Sequence, residues 1–587
     1  MNYPEKLAAL REHMRRHGLD AYLVPMADEY QNEYVPASAQ RLHWLTGFAG
    51  SAGIAAITAT RAALFTDGRY TIQAQRELPK KIWQPKITPT ATIADWLSEN
   101  LPEKSIVGYD PWLFTPAQLD TYGKSALRLS PVALNLIDAI WTDRPQPPMS
   151  KAEVQPVKLA GQSHSDKIKT IAQHLKKQGY AATILTATDS IAWLLNIRGN
   201  DVPYNPLCLA MAVVHADAAV DLYVDAAKID ADMRRHLGAA VTIRPPAALL
   251  DDLARLAQQK IVLDAQTVAQ AIVDRLGAVG AVVAYAPDPC QMPKACKNKV
   301  EQAGMRAAHV RDGVAMAQFL HWLDMAALAK HTEATIKTVL EQYRAAQKNY
   351  RGESFGTIAG FNANGALVHY RADPKTAATL KRPGILLLDS GGQYVDGTTD
   401  ITRTIAIGKP TVEQRRNYTS VLRGHIALSQ AEFPVGTTGS QLDVLARQYL
   451  WQAGLDYAHG TGHGVGSYLC VHEGPQRISQ IPNRVALQPG MVLSNEPGYY
   501  KTGAYGIRIE NLIMVQPVKG RKDFLGFETL TLAPYDRALI DVKMLHANER
   551  TWVDNYHARV WQELSPLVDT KTKAWLKQAC RKIVVSR

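Results

Sequence analysis

Six side chains capable of metal or acid–base chemistry stand where apolar runs begin, end or thin out. Asp389 closes Ile385-Leu386-Leu387-Leu388, and Asp400 opens Ile401 to Ile407 after a turn signal at Asp396-Gly397. His459 and His463 lie in His-Gly-Thr-Gly-His-Gly-Val-Gly; Glu496 ends the run from Met491, and Glu510 falls within the alternating stretch Ile507 to Val515. An aliphatic run of four predicts a buried strand, so each acid is delivered at the edge of an apolar layer. Taking one carboxylate out of water is costly, and two that face each other repel. A cation shared between them relieves both problems. For the Asp pair alone the alternative is two strand-end acids capping turns in solvent. Two His spaced i, i+4 suggest a helix, but alternate glycines oppose one at roughly 1 kcal/mol each. Bare backbone that lets a ligand or metal approach closely is the better reading. Asp, Asp, His, Glu, Glu is a hard, oxygen-rich set, too acidic for a closed structural zinc site and suited to two divalent ions.

This ordered constellation resembles the pita-bread metallopeptidases, and among them the long, three-domain cytosolic aminopeptidase P branch. The resemblance implies five metal ligands, Asp389, Asp400, His463, Glu496 and Glu510. Asp389 would chelate the first ion, Asp400 and Glu510 would bridge, and His463 and Glu496 would hold the second. It also implies two divalent ions, manganese first with zinc or cobalt as alternatives, and a hydroxide between them that attacks the carbonyl preceding proline. Glu496 would act as general base. His369 in Leu367-Val368-His369-Tyr370, His459, and His472 in Val471-His472-Glu473-Gly474-Pro475 match active-site positions. His369 and His472 would hydrogen-bond the carbonyl oxygen or the departing proline nitrogen. The expected substrate is a peptide with proline second, and the expected assembly a homodimer. The rivals are a prolidase confined to Xaa-Pro dipeptides and a metal-free peptide-binding relative; the latter class loses ligands, whereas all five are present. Prolidase action would need a cation for proline's free carboxylate. Arg508 is the candidate for that substrate-binding role, or it pairs with the acids beside it.

The positioning elements follow from the rest of the chain. At 587 residues, 46% hydrophobic and 20% charged, several globular domains are expected. The net charge of +12 is spread along the chain, only modestly concentrated from Lys571 to Arg587, which argues against nucleic acid. No apolar run is long enough to span a bilayer, and the first residues lack a signal-peptide core. Five scattered cysteines fit a reducing, cytoplasmic compartment. The fold class expected from pattern and resemblance is α/β (α+β): two related creatinase-like α/β domains, a pita-bread catalytic domain and a helical C-terminal extension. Their expected bounds are 1–144, 145–292, 293–534 and 535–587.

Within this frame, Leu7, Leu10 and Met14 share a helical face closed by Gly18, and Ala21 to Pro25 reads as a strand. Gly50-Ser51-Ala52-Gly53 lacks the Lys-Ser/Thr of a phosphate loop and reads as tight packing. Residues 145–162 read as a stiff linker, after which the first pattern weakly repeats. By resemblance, Arg198-Gly199-Asn200-Asp201 and Asn205-Pro206 form a loop facing the catalytic domain. A long helix begins near Lys297, with Glu301, Arg306 and Asp312 on a solvated face. Trp552, Tyr556, Val560, Trp561 and Leu564 form an apolar stripe, and a last helix is expected to run to Arg587.

Overall fold

The computed structural model describes residues 1–123 and 127–584, which fall into two units, Met1–Gln291 and Met292–Arg587. In the first unit Asn2 and Glu5 close a capping box over α1 (Tyr3–Arg16), satisfying amides that the helix start would leave unpaired. Leu7, Leu10 and Met14 are buried on its inner face, as their spacing predicts. The following strands are β1 (Ala21–Pro25), β2 (Ile54–Thr58), β3 (Ala62–Thr66), β4 (Gln84–Ile87), β5 (Ile106–Tyr109) and β6 (Arg128–Pro131). They form one sheet in the order β4-β3-β2-β1-β5-β6. A Cβ on Gly50 would run into the rings of Phe48 and Tyr70, so that glycine serves close packing.

A second sheet repeats this plan. After α2 (His164–Lys177) come β7 (Ala182–Leu185), β8 (Met211–His215), β9 (Val220–Tyr223), β10 (Val241–Arg244), β11 (Lys260–Leu263) and β12 (Val282–Tyr285). Their order is β10-β9-β8-β7-β11-β12, with the same alternation of antiparallel and parallel pairs as the first sheet. The weak sequence repeat is therefore one topology used twice.

The stretch 145–162 is not merely a linker. Glu153–Val154 pairs antiparallel with Ile197–Arg198, and Val157–Ala160 makes one helical turn. A two-residue strand is too short to give a periodic signal. In the adjoining loop Arg198 is buried and donates to the carbonyls of Ala192 and Ile197, while Asp201 accepts from Lys228 at 2.6 Å.

In the second unit a capping box of Asn298 and Glu301 starts α3 (Lys299–Met325). The solvated face expected for Glu301, Arg306 and Asp312 is absent at two of these three charges. Glu301 is buried on the amide of Asn298, and buried Asp312 takes Arg344 Nε at 2.9 Å and the Tyr394 hydroxyl at 3.1 Å. Arg306 alone is partly exposed, paired with Glu528 at 2.7 Å. The reason is that α3 is wedged between two apolar clusters, Val314 and Ala317 in one and Met316, Phe319 and Leu323 in the other. Apolar residues on several sides make a helix internal, and charges on it then need internal partners.

Strands β13 (Ile358–Phe361), β14 (Gly384–Ser390) and β15 (Ile401–Ile407) form an antiparallel sheet. A second sheet contains β16 (Gly462–Gly464), β17 (Glu473–Ile478), β18 (Val492–Asn495), β20 (Asn511–Pro517) and β21 (Phe524–Thr529), with the short Phe433–Pro434 at one edge. Strand β19 (Tyr505–Arg508) instead pairs with Gly498–Lys501. The continuous strand expected from Ile507 to Val515 is thus broken at Ile509-Glu510, where the backbone passes from one ladder to another. Ile509 donates to Pro497 O and Glu510 to Thr402 O across this junction.

Helices α4 (Glu333–Ala345), α5 (Val412–Ser429) and α6 (Gly439–Trp451) complete the layers of this unit, and α7 (Ala547–Leu564) packs on them. Tyr556, Val560 and Leu564 are buried in one cluster with Val421, Leu422 and Ile426 of α5, while Trp552 and Trp561 are partly covered. The last helix, α8 (Thr570–Ala579), stops at Cys580, and residues 585–587 of the expected helix lie outside the described residues. No helix among the described residues is long and apolar enough to cross a membrane.

Candidate metal centre

Strands β14 and β15 pair with Asp389 opposite Thr402, so the two aspartates come from neighbouring strand ends. Successive residues on a strand alternate faces, which puts Asp400 and Thr402 on one side. Thr402 Oγ1 donates to Glu510 Oε2 at 2.9 Å. His463 sits mid-way along β16, and Glu496 directly follows β18, the neighbouring strand. Ligand atoms of Asp400, His463 and Glu510 all lie within 4.8 Å of one another. Glu496 joins this group through His463, whose Nε2 is 3.5 Å from Asp400 Oδ2 and 3.6 Å from Glu496 Oε1. Asp389 instead turns Oδ2 toward Arg508 Nη2, at 2.6 Å.

The glycines of the His463 strand have a steric cause. A Cβ on Gly462 would collide with the Ser494 carbonyl oxygen, and one on Gly464 with that of Glu473. Close approach on both sides holds the His463 backbone in place. His463 Nδ1 lies 3.0 Å from Gly464 O, an atom that can only accept, so Nδ1 carries the proton. Its Nε2 then faces two carboxylate oxygens.

The electrostatics of this cluster are strained without a counter-ion. Burial, followed by the charges of Asp389 and Glu496, pushes the Asp400 carboxyl well above the usual range. Burial and then Asp400 and Asp389 do the same to Glu510. Glu496 is pushed up to about 7, by burial first and then by Glu510. Buried Oδ1 atoms of Asp389 and Asp400 have no hydrogen-bond partner. Four carboxylates around one Arg, with two orphaned oxygens and an imidazole nitrogen aimed among them, make a donor set that fits divalent cations.

Arg508 is almost wholly buried, and its guanidinium is committed. It reaches Asp389, the Tyr500 hydroxyl at 2.6 Å, Thr402 Oγ1 at 3.2 Å and Val368 O at 3.3 Å. Pairing with the acids is therefore the arrangement adopted, not an open clamp. His459 donates from Nδ1 to Gly460 O at 2.7 Å, and its Nε2 lies 2.8 Å from the Tyr500 hydroxyl. The His472 ring stands edge-on to that of His463, centroids 4.3 Å apart. His369 is half-buried in the loop after β13, next to the Val368 carbonyl that Arg508 holds.

The family models and relatives of the chain agree on its class. Residues 303–517 match metallopeptidase family M24, 6–139 and 143–301 match creatinase/prolidase N-terminal domains, and 523–583 match the C-terminal region of peptidase M24. A probable Xaa-Pro aminopeptidase P of Paracoccidioides brasiliensis (strain Pb03) is 41% identical over 612 residues, covering 99% of both chains. The chain belongs to metallopeptidase family M24, in its aminopeptidase P branch. Aminopeptidase P1 of Arabidopsis thaliana is 39% identical, covering 99% of this M24 chain and 100% of its own. The crystal structure of X-prolyl aminopeptidase from Caenorhabditis elegans, described as a cytosolic enzyme with a di-nuclear active site, superposes with a TM-score of 0.95. It is 35% identical, covering 99% of this chain and 100% of that one.

Several residues of this M24 site escape a reading by motif. Thr402 was accessible, since period-two alternation places it beside Asp400. Tyr500 has no chemical spacing to mark it. Buried Glu473, next to His472, pairs with Lys297 and, at 3.4 Å, with Lys294; both lysines lie among proline boundary signals far away in the chain. Buried Glu333 accepts from the amides of Phe361 and Ala378, each at 2.7 Å, and from the Tyr370 hydroxyl at 2.8 Å. It therefore ties the loop that carries His369 at both ends.

Proposed function

We propose that this M24 chain is a metal-dependent Xaa-Pro aminopeptidase. It releases the N-terminal residue from peptides with proline in second position, using two divalent ions held by Asp389, Asp400, His463, Glu496 and Glu510. The observation that carries the reading is the cluster in which His463 Nε2 faces Asp400 and Glu496 at 3.5 and 3.6 Å beside orphaned aspartate oxygens. Two full-length relatives named for aminopeptidase P, and the di-nuclear site ascribed to the C. elegans enzyme, point the same way.

When bound, the ions would neutralise the carboxylates, polarise the scissile carbonyl and acidify water. The protein's own groups do the rest. Glu496 Oε1 takes the proton of the water that adds to the carbonyl carbon, the general-base role open to a carboxylate beside that water. As the carbon–nitrogen bond breaks, that proton passes to the proline nitrogen, which carries none of its own in the peptide. His472, against His463, and His369, in the loop tied by Glu333, are the groups that hydrogen-bond the carbonyl oxygen or the leaving nitrogen. His459 acts through Tyr500, to which its Nε2 is tied. Manganese is the expected metal because oxygen donors dominate the set, with zinc or cobalt as the alternatives. A cytoplasmic location rests on five cysteines that form no disulfide and on the cytosolic description of the C. elegans relative.

Arg508 is spent on Asp389, which favours the aminopeptidase over the prolidase, since the latter needs a free cation for proline's carboxylate. The deciding experiment measures first-residue release from Xaa-Pro-Yaa peptides, Xaa-Pro dipeptides and Xaa-Ala-Yaa peptides. The expected order is tripeptide, dipeptide, alanine peptide. A dipeptide preference of about tenfold, ~1.4 kcal/mol of transition-state discrimination, would move the assignment to prolidase.

A further inference from the structure

The two glutamates of the proposed metal centre are each flanked by a buried asparagine. Asn495 precedes Glu496, Asn511 follows Glu510, and the two asparagines are cross-strand partners in β18 and β20. Asn495 is held by α5: its Nδ2 donates to His425 O and Ser429 Oγ, each at 2.9 Å. His425 Nδ1 lies 3.0 Å from Asn495 O, an obligate acceptor, so the imidazole carries its proton there. Its Nε2 is then an acceptor for the Tyr535 hydroxyl at 3.0 Å. That hydroxyl in turn accepts from Asn511 Nδ2 at 2.8 Å. The chain is directed and closed: Asn511 to Tyr535, Tyr535 to His425, His425 to Asn495. Burial and the charge of Arg403 hold the His425 pKa low, at about 3, in keeping with a neutral ring.

A second connection runs through Arg403, on β15 between Thr402 and Thr404. Its Nη1 donates to Glu510 O at 2.7 Å, and its Nη2 to Asn511 Oδ1 at 2.9 Å and the Tyr556 hydroxyl at 3.0 Å. Tyr556 lies on α7, and its hydroxyl also meets the Ala533 and Thr531 carbonyl oxygens at 3.0 Å. Tyr535 stacks between these parts, with its ring under the Arg403 guanidinium at 4.7 Å. Neither tyrosine reaches the carboxylates themselves.

We infer that Tyr535 and Tyr556, from the C-terminal region, are positioning residues for the metal carboxylates Glu496 and Glu510, acting through His425, Asn511 and Arg403. The C-terminal region is thus part of the metal centre's support and more than a cover for apolar surface. A ligand carboxylate must be aimed to within a fraction of an ångström, and groups that orient ligands typically change metal affinity tenfold to a hundredfold when lost. The inference rests on the ligand assignment proposed above.

The test is Mn2+ titration of chelator-stripped full-length protein, followed calorimetrically, beside melting temperature and kcat and KM for a tripeptide. Tyr535→Phe and Tyr556→Phe each remove one hydroxyl and keep the ring. Tyr394→Phe is the control, because it also removes a buried hydroxyl, one bonded to Asp312 on α3. Tyr535→Phe is expected to weaken Mn2+ binding by roughly tenfold or more, and to lower kcat with KM little changed. Tyr394→Phe is expected to lose comparable melting temperature with unaltered Mn2+ affinity. Wild-type Mn2+ affinity in Tyr535→Phe would overturn the inference, and if that variant does not fold, Tyr556→Phe decides by the same criterion. Asp400→Asn in the same titration separates the two readings. Should it still bind two ions at wild-type affinity, the ligand assignment has failed; should it lose them while both tyrosine variants bind normally, only the positioning role has.

Discussion

Chelator-stripped protein should become less heat-stable as pH rises from about 5 to 8, and Mn2+ should stabilise it most at the alkaline end. Chelation removes the cations that balance Asp400, Glu496 and Glu510 beyond what the Arg508 guanidinium supplies. In the folded, ion-free chain all three carboxyls hold protons more tightly than in the unfolded chain, because burial and mutual repulsion penalise their charged forms. Between the unfolded and folded pKa values the native state therefore binds more protons, and stability falls as pH increases. For Glu496 the rise from 4.5 to about 7, at about 1.4 kcal/mol per pH unit, amounts to roughly 3 kcal/mol once pH exceeds the folded value. The penalty is absent below the unfolded value. Asp400 and Glu510 add to it in the same direction.

Ion binding must expel these protons. Glu496, raised to about 7, gives up most of its proton between pH 6 and pH 8, so proton release per ion should fall across that interval. Calorimetric titration of the apoprotein with Mn2+ in buffers of different ionisation enthalpy counts the protons released. Melting curves with and without Mn2+ give the stabilisation. Proton release near zero at pH 6, or an equal Mn2+-induced rise in melting temperature at both pH values, would mean that these carboxyls are not held protonated in the ion-free fold.

Four further outcomes are expected. Glu496→Gln should lower kcat at least ~10²-fold, the usual scale for loss of a general base, while Asp400→Asn should also deplete bound metal in elemental analysis. Glu473→Gln would leave buried Lys294 and Lys297 without their carboxylate and should cost about 3–5 kcal/mol in urea unfolding of the second unit. Leu564→Ala, in the core shared by α5 and α7, should cost about 2–5 kcal/mol and lower the melting temperature measurably.

What the sequence reveals of this molecule depends on how local its signals are. Ile385 to Asp389 and Ile401 to Ile407 are strands whose hydrophobic runs and terminal acids lie within a few residues, and the structure pairs them directly. The glycines around His463 likewise declare a non-helical, closely packed backbone. The helical stripe of Tyr556, Val560 and Leu564 predicts a docked helix, and it docks. Long-range pairing leaves no such trace. Asp312 and Arg344 are buried together although each looks solvated on its own helix, and Glu473 meets Lys297 from 176 residues away in the chain. The break at Ile509-Glu510 is equally silent, since alternation continues in sequence while the ladder partner changes from Gly498–Lys501 to Val492–Asn495.

The crowding around Gly462 and Gly464 bears on how this protein could be re-engineered. With carbonyl oxygens of Ser494 and Glu473 already where a methyl group would go, every side chain is excluded at both positions by backbone that cannot step aside. A mutant library spread evenly over the active site would therefore spend those two codons on inactive clones. Altered substrate preference has to be sought at other positions, while the His463 strand is best left untouched.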